Sequence, residues 1–337
     1  MFVELGEMGL FGMTVPESLG GAGADYVSYA LALMELAAAD GALSTIVSVQ
    51  SSILVAGIEK YGTTQQRERF LPDLISGRSI GAFALTEAEA GSDAAAIRTR
   101  ATRSEGGWVL NGGKVFITSG KIARLAMVIA VTDQAAGKKG LSAFLVPTDR
   151  PGYTVERVEH KLGQQASDTC AIRFDSLFVE DALVFGPVGE GYRIALSNLE
   201  TGRIGIAAQS VGMAQAALEI AVNYAKERRS FGQRIIDHQA VGFRLASLAT
   251  RLAAARQLVL AAAALKDAGE PSLVEASMAK LFASETAEAV VSGAIQTLGG
   301  YGYLEEFGLA KIYRDVRVCQ IYEGTSDIQL MVIARAL

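Results

Sequence analysis

The spacing of apolar residues changes twice along the chain. Residues 25–38 carry apolar side chains at helical spacing, and Thr63 with Gln66 has the form of a capping box before residues 67–75. These features predict a helical opening. From about residue 187 the helical spacing returns and persists, with a second capping-box pattern at Ser272 and Glu275. The helices of this last part are predicted near residues 191–227, 238–267, 273–298 and 326–336.

Between these helical parts the pattern consists of short apolar or alternating segments separated by Gly, Asp and Lys turns. This spacing is typical of strands in an antiparallel barrel or sandwich. Because helices and strands are segregated along the chain, the order favours an all-α, all-β, all-α arrangement over alternating βαβ units. The predicted strands are residues 80–85, 108–118, 126–131, 142–146 and 171–174.

Composition narrows the class of partner. The 337 residues include 31 basic and 36 acidic side chains, giving a net charge of −5 that does not favour nucleic-acid binding. Charges interrupt the apolar stretches, so no run approaching a membrane-spanning helix of roughly 20 residues is expected. Two Cys, Cys170 and Cys319, exclude a disulfide scaffold, and two His are too few for a His-rich metal cluster. With no export or import signal at the start, we expect a cytoplasmic protein with a small-molecule partner.

The common catalytic signatures are absent. The sequence contains no G-x-G-x-x-G, no G-x-x-x-x-G-K-[ST] and no G-x-S-x-G, which disfavours a Rossmann site, a P-loop and a serine hydrolase. Polar, Gly-rich segments remain inside apolar surroundings. Residues 86–93 follow a predicted strand directly, and fit either a phosphate or flavin rim or an ordinary Asp/Ser turn. Phe116 and Thr118 end another strand on one face, either as a ring-stacking platform or with Phe116 in the core.

Two further segments lie in the helical C-terminal part. Arg228 and Phe231 end a long helix ahead of Gln239; they fit a diphosphate contact with an adenine cover, or simply basic residues at a helix C-terminus. Glu323 lies between Tyr322 and Gly324. It fits a general base beside a ligand or a solvated charge ahead of a helix.

In this order, these segments resemble the acyl-CoA dehydrogenases, flavoenzymes that oxidise the α–β bond of acyl-CoA thioesters. Gln164 with residues 167–169, and Gln296 with residues 298–300, strengthen the resemblance, which extends over residues 2–337. It implies an α+β multidomain fold: an N-terminal helical domain at 1–79, a middle antiparallel β-barrel or sandwich at 80–184, and a C-terminal four-helix bundle at 185–337. It also implies FAD between the last two domains, a homotetramer built as a dimer of dimers, and a first helix missing from this chain.

The resemblance assigns FAD contacts to both parts of the sequence. The flavin or thioester edge would be met at Phe83, Leu85, Thr86 and Ser92, and the other side of the flavin at Phe116 and Thr118. The adenosine diphosphate end would be bound, across a subunit boundary, by Arg228, Phe231, Gln239, Gln296 and Gly300, with Thr325 near the diphosphate.

The resemblance also assigns the catalytic base to Glu323. The alternative base position of some branches is Gly202, which has no side chain for this role. Glu200 and Arg203 match acidic and basic substrate contacts, and Ser92, Tyr322 and Gly324 complete the implied substrate site. No metal is implied.

The implied reaction is α,β-dehydrogenation to a trans-2-enoyl-CoA in fatty acid or branched-chain amino acid catabolism. Glu323 would take the α-proton, hydride would pass to flavin N5, and electrons would go to an electron-transfer flavoprotein. Short-chain and branched-chain members are the most similar.

Three alternatives remain. A decarboxylating dicarboxyl-CoA dehydrogenase would need an Arg for the distal carboxylate, and the matching position is Ser44. An acyl-CoA oxidase would usually carry an additional C-terminal helical domain. A non-catalytic acyl-CoA-binding or assembly protein of the same fold would not need Glu323 together with an intact flavin loop.

Overall fold

The computed structural model describes every residue from Met1 to Leu337, and the chain divides into two compact units. This division follows packing, whereas the predicted domain borders at residues 79/80 and 184/185 follow the order of helices and strands, and those borders stay a prediction. The first unit consists of Met1–Asp25, Ile46–His160 and Ser167–Gly202. The second consists of Tyr26–Thr45, Lys161–Ala166 and Arg203–Leu337.

The opening of the chain is helical, as predicted. A π-helical segment, Val49–Val55, joins two of the helices into one continuous rod. Thr63 accepts a hydrogen bond from the Gln66 amide at 3.2 Å and Gln66 accepts one from the Thr63 amide at 3.1 Å, so the predicted capping box is confirmed. The helices are α1 (Phe2–Glu7), α2 (Tyr26–Ala39), α3 (Gly41–Ser48), α4 (Ala56–Tyr61) and α5 (Thr64–Ile75).

The middle of the chain forms one eight-stranded sheet. Its strands are β1 (Gly81–Ala84), β2 (Arg100–Ser104), β3 (Gly107–Thr118), β4 (Leu125–Val131), β5 (Leu141–Pro147), β6 (Tyr153–Val158), β7 (Thr169–Glu180) and β8 (Val184–Phe185). The order is β6-β7-β3-β2-β4-β5-β8, with β1 beside β4.

The sheet is mixed, which corrects the wholly antiparallel prediction. β1 and β2 each pair with β4 in parallel, while the remaining pairs are antiparallel. β1 and β4 pair in parallel because the β2–β3 hairpin lies between them in the chain before β4 returns beside β1. The pattern also missed β2, β6 and β8, since β2 and β6 are mostly exposed and β8 has only two residues.

Side-chain alternation in β1 separates two cores of the first unit. Phe83 and Leu85 pack with apolar residues of α4, α5 and the π-helical segment, whereas Ala82 and Ala84 pack with residues of β3 and β7. The sheet is therefore covered on both faces where β1 ends. The residues that follow β1 start from a rigid base.

The second unit is built from helices. They are α6 (Gly191–Glu227), which begins in the first unit, α7 (Gln239–Asp267), α8 (Leu273–Leu298), α9 (Leu309–Val316) and α10 (Ser326–Ala334). A short hairpin of β9 (Arg229–Ser230) and β10 (Gln233–Arg234) follows α6. α8 packs against α7, α9 and α10, and α2 packs against α7.

Two local features of this unit follow from single residues. A Cβ at Gly212 of α6 would lie 2.1 Å from the Met34 carbonyl oxygen of α2, so only glycine permits this helix crossing. Ser272 does not cap α8 through its side chain, which makes the second capping-box prediction wrong. Its backbone has φ −123° and ψ 5°, outside the extended conformation that an N-cap residue usually adopts.

Three helices are long and apolar enough to cross a membrane by length and composition alone, namely Gly41–Tyr61, Gly191–Glu227 and Gln239–Asp267. The expectation that no apolar run approaches that length was therefore wrong. Residues 41–58 of the first helix carry no charge, and the other two helices are alanine-rich and reach the required mean hydropathy although they carry occasional charges. The most apolar windows of these helices are 89%, 72% and 28% buried inside the protein, in chain order.

Candidate active site

Glu323 lies in a turn whose backbone is strained. Its φ is 51°, a left-handed value that costs a non-glycine residue roughly 1–3 kcal/mol, and Gly324 follows at 92°. A Cβ at Gly324 would lie 2.7 Å from the Gln329 side-chain nitrogen. The turn between the helical segment Arg317–Gln320 and α10 thus requires glycine directly after the glutamate.

The Glu323 carboxylate is buried without a partner. Although the residue as a whole is partly exposed, neither of its carboxylate oxygens reaches solvent or accepts a hydrogen bond. Burial raises the pKa of Glu323 to about 7, against the opposing charges of Lys280 and Arg203. A carboxyl group with this pKa exchanges protons near neutral pH, as a general base must.

Tyr322, on one side of Glu323, is anchored by its hydroxyl group. The hydroxyl donates to Gln209, accepts a hydrogen bond from the Gln164 side chain at 3.3 Å, and lies 3.4 Å from Thr45 Oγ1. Thr45 in turn donates to Gln164 at 2.8 Å. Burial raises the pKa of Tyr322 well above its usual value, so the phenol stays neutral and holds the backbone that leads into Glu323.

Gln164 is itself held in position. Its φ is 51°, and its backbone amide donates to the buried carboxylate of Asp315, which also accepts from Lys311 at 2.6 Å. A chain of buried hydrogen bonds therefore runs from α9 through Gln164 to Tyr322. These hydrogen bonds link the sequence motif at Gln164 to Tyr322.

The other side of Glu323 is anchored through the Gly324 carbonyl. Lys280 Nζ donates to this oxygen at 2.6 Å and Gln329 Nε2 donates at 2.9 Å. Both side chains are fully buried. Glu323 thus lies between two fixed points of the backbone.

A second polar group surrounds the end of β1 in the first unit. Lys114 is fully buried, and its Nζ donates at 2.8 Å to both the Leu85 carbonyl and the Glu87 carboxylate. Glu87 also accepts from the backbone amides of Arg98 at 2.6 Å and Thr99 at 3.0 Å. Burial alone would raise the pKa of Glu87, but Lys114 and these amides bring it below the usual value.

Phe116 is exposed at the end of β3, so it does not belong to the core. Its φ is 59°, and the pairing of β3 with β7 shifts register between Lys114 and Ile117. The shift leaves Ile117 buried and Phe116 67% exposed, with Thr118 on the same, less buried side. An exposed ring on strained backbone is consistent with a platform for a planar ligand.

A cavity of about 420 Å³ lies in the second unit and is lined by Arg228, Gln296 and Gly300 among others. The Arg228 guanidinium lies 5.8 Å from the ring centre of Tyr301. Phe231 is 96% exposed with φ 49°, and neither it nor Gln239 lines the cavity. The structure thus groups three of the predicted nucleotide contacts in this cavity and leaves Phe231, Gln239 and Thr325 outside its lining.

Known protein families account for almost the whole chain. Family models described as acyl-CoA dehydrogenase N-terminal, middle and C-terminal domains match residues 1–78, 82–177 and 189–337. The chain belongs to the acyl-CoA dehydrogenase family. The predicted family is confirmed, and so is the fold class apart from the mixed sheet; the protein is an oxidoreductase acting on the CH–CH bond of acyl-CoA thioesters.

The relatives match over nearly the full chain. An acyl-CoA dehydrogenase of Bacillus subtilis is 46% identical over 334 residues, covering 99% of this chain and 88% of the relative. The human mitochondrial short-chain specific acyl-CoA dehydrogenase is 45% identical over 331 residues, covering 98% and 80%.

Solved structures agree with this match. Butyryl-CoA dehydrogenase from Megasphaera elsdenii superposes with a TM-score of 0.97 at 41% identity, covering 99% of this chain and 88% of that chain. A chain in the structure described as electron transferring flavoprotein of Acidaminococcus fermentans has a TM-score of 0.98 at 40% identity, with the same coverage.

The remaining predicted site residues of this acyl-CoA dehydrogenase differ in exposure. Ser92 is exposed and Glu200 is partly exposed, whereas Arg203 is only 7% exposed and its Nη1 donates to Ser277 at 3.2 Å. The Thr325 hydroxyl accepts from the Ile328 amide at 3.3 Å and caps α10. The ligand roles assigned to these residues stay predictions.

Sequence reasoning missed the two buried lysines, Lys114 and Lys280. Lys280 lies on a face of α8 that otherwise carries buried alanines, at positions 276, 279 and 283. A lone charge on an apolar helical face is a signal that could have identified it. Lys114 had no such signal, because glycines precede it and the β3 register shift follows it.

Proposed function

We propose that the protein is an FAD-dependent dehydrogenase of short-chain acyl-CoA thioesters in which Glu323 removes the α-proton. The observation that carries this proposal is the buried Glu323 carboxylate that accepts no hydrogen bond. A carboxylate paired with donors would be a weaker base. This one has a pKa raised to about 7 by burial, which suits proton abstraction near neutral pH.

The backbone at Glu323 supplies a second element of the reaction. No carbonyl of the chain accepts the Glu323 N–H, so this donor remains available for the thioester carbonyl. A fixed donor at that oxygen would stabilise the negative charge that develops as the α-proton leaves. Tyr322 and Gly324 would therefore act through their hold on the backbone, with their side chain and carbonyl already engaged.

The residues present fit FAD. The cavity lined by Arg228, Gln296 and Gly300 offers a guanidinium and a side-chain amide to an anionic group. When bound, FAD would supply the acceptor for the hydride from the β-carbon. We assign its adenosine diphosphate end to Arg228, Phe231, Gln239, Gln296, Gly300 and Thr325, and its ring system to Phe83, Leu85, Thr86, Ser92, Phe116 and Thr118.

The short-chain assignment is supported by the human relative and by the butyryl-CoA dehydrogenase structure. A dicarboxyl-CoA substrate is not favoured, because its distal carboxylate would need a cation at position 44. Ser44 is fully buried, and its hydroxyl donates to the Gly41 carbonyl at 2.9 Å. We place Ser92, Glu200 and Arg203 among the substrate contacts.

Three further assignments extend this proposal. The electron acceptor is an electron-transfer flavoprotein, consistent with the Acidaminococcus structure. The location is cytoplasmic, consistent with the relatives from Bacillus and Megasphaera. The assembly is a homotetramer formed as a dimer of dimers.

Replacing Glu323 by Gln tests the assignment of the base. Gln keeps the size of the side chain and removes its basicity, so flavin reduction by butyryl-CoA should slow by roughly 10²–10⁴-fold. The measurement is stopped-flow bleaching of the flavin absorption in the purified yellow protein. Glu285→Gln, at an exposed position of α8, is the matched control and should bleach at the normal rate.

Two outcomes would contradict the proposal. Near-normal bleaching in Glu323→Gln, with butyryl-CoA still bound, would move the base to another carboxylate. A wild-type protein that purifies without flavin and does not retain added FAD would exclude the dehydrogenase reaction itself.

A further inference from the structure

Lys280 is a buried charge without a carboxylate partner at hydrogen-bond distance. It is fully buried in α8, and the one hydrogen bond of its Nζ goes to the Gly324 carbonyl at 2.6 Å. Burying an ammonium group is costly unless another group compensates it. Burial lowers the pKa of Lys280 to about 8, which still leaves it charged at neutral pH.

The hydrogen bond alone does not explain a lysine at this position. Gln329 Nε2 donates to the same Gly324 oxygen at 2.9 Å. A neutral side chain therefore already satisfies this carbonyl and holds the turn. What Lys280 adds is positive charge.

The group that responds to this charge is Glu323. Its carboxylate accepts no hydrogen bond, so neighbouring charges are the main influence that opposes the effect of burial. Lys280 and Arg203 are those charges, and both favour the ionised carboxylate. Without them a desolvated glutamate would stay protonated and would not accept a proton.

We propose that Lys280 is a positioning residue for the dehydrogenation, which fixes the Gly324 carbonyl and favours the ionised form of the Glu323 carboxylate. The inference rests on the proposed role of Glu323 as the base. The charge of Lys280 lies next to the strained turn at Glu323, and this gives α8 a role in the reaction.

The other groups that face this pair do not titrate in the same range. Arg203 remains charged at every pH at which the protein is folded. Cys319 also influences Lys280, but burial raises the pKa of its thiol and keeps it neutral. The pH dependence near neutrality therefore reports on Glu323 and Lys280.

The test is a pH titration of three variants of the holoenzyme. Lys280→Met and Lys280→Gln remove the charge. Gln329→Met is the matched control: it removes the second hydrogen bond to the Gly324 carbonyl, and a longer one to the Glu323 carbonyl at 3.5 Å, but leaves the charge. The first readout is the pH midpoint of the infrared band of the protonated Glu323 carboxyl group. This band is identified by its absence from the Glu323→Gln variant. The second is the pH midpoint of flavin reduction by butyryl-CoA.

Loss of the Lys280 charge should raise the infrared midpoint by roughly one pH unit, because an opposite charge nearby favours the ionised form. Flavin reduction below that midpoint should slow roughly tenfold at a given pH. Gln329→Met should leave the infrared midpoint unchanged. If Lys280→Met does not fold, Lys280→Gln gives the same comparison.

An unchanged midpoint in both Lys280 variants would overturn the inference, as would an equal shift in Gln329→Met. The infrared titration needs no turnover. If butyryl-CoA fails to bleach even the wild-type flavin, the proposed function falls while the infrared midpoints still decide the role of Lys280.

Discussion

Two buried lysines lie beside glutamates in the two units of this protein, and only one of the glutamates is fit to be a base. Lys114 donates to the Leu85 carbonyl at 2.8 Å, and Lys280 donates to the Gly324 carbonyl at 2.6 Å. Burial lowers the pKa of each lysine to about 8. The lysines are thus alike in burial, in the type of acceptor and in the direction of their pKa.

The glutamates differ in the donors that surround them. Glu87 accepts hydrogen bonds from Lys114 and from two backbone amides, and its pKa lies below the usual value. Glu323 accepts none, and its pKa is raised to about 7. Burial acts in the same direction on both. A buried carboxylate can act as a base where the surrounding structure offers it no hydrogen-bond donors.

The two glutamate sites also differ in whether they stabilise the folded protein. Lys114 and the two backbone amides compensate the burial of the Glu87 carboxylate. Lys114 also fixes the end of β1, where the predicted flavin contacts Leu85 and Thr86 lie. The Glu323 turn combines a left-handed glutamate with an unpaired carboxylate, and both features are destabilising. Strain and unsatisfied charge of this kind are retained at functional sites because the surrounding structure determines the local geometry.

Breaking the Lys114–Glu87 pair should have the largest effect on stability. Lys114→Met leaves the half-buried Glu87 without its counter-charge and should lower the free energy of unfolding by about 3–5 kcal/mol, the usual cost of removing one partner of a buried pair. Denaturant unfolding of the apoprotein measures it. Lys280→Met should cost less, since Lys280 makes no ion pair at hydrogen-bond distance.

The double variant Lys114→Met with Glu87→Leu is the control for that prediction. Replacing both partners by apolar residues removes the uncompensated charge and should recover part of the lost stability. Equal losses in the Lys114 and Lys280 variants would contradict the contrast between the two regions.

Opposite pH dependences should follow from the two glutamates. The pKa of Glu323 is raised from 4.5 to about 7, so its contribution to stability is fully present below about 4.5 and is lost as the pH rises through about 7. Glu323→Gln, which resembles the protonated form, should gain about 3 kcal/mol relative to wild type over that interval.

Glu87 provides the reverse case. Because its pKa is lowered, its contribution is present above about 4.5 and is lost as the pH falls through its folded-state pKa. The stability deficit of Glu87→Gln should therefore shrink in acid. Unfolding free energies of wild type and both variants, measured across pH 3–8, check the two signs; parallel difference curves would refute them.

The smallest expected effect concerns Thr325, which follows the Glu323 turn. Its hydroxyl accepts from the Ile328 amide at 3.3 Å and caps α10, so Thr325→Ala should cost about 1 kcal/mol of stability. Thr325→Ser keeps the acceptor and should restore most of it. Calorimetric unfolding of wild type and both variants decides whether the cap stabilises α10; equal melting temperatures of wild type and Thr325→Ala would contradict this prediction.

Local sequence patterns predicted most of the helices and strands and missed those in which few side chains are buried. The helix α2 and the Thr63 capping box are local features, and both are confirmed. β2 and β6 were missed because most of their side chains are exposed. β2 has one buried residue, Ala101, and β6 alternates only at Tyr153 and Val155. The Ser272 pattern predicted a side-chain cap that does not form, since its backbone does not adopt the necessary conformation.

The sequence by itself determined the family, the order of helices and strands, and the motif that contains Glu323, because each depends on residues close together in the chain. Only the tertiary structure decided the protonation environment of Glu323. Lys280 is 43 residues away in sequence, yet it donates to the carbonyl of the residue that follows Glu323. The pKa of a carboxyl group depends on which donors and charges surround it and on how much water reaches it, and these are properties of packing rather than of local sequence.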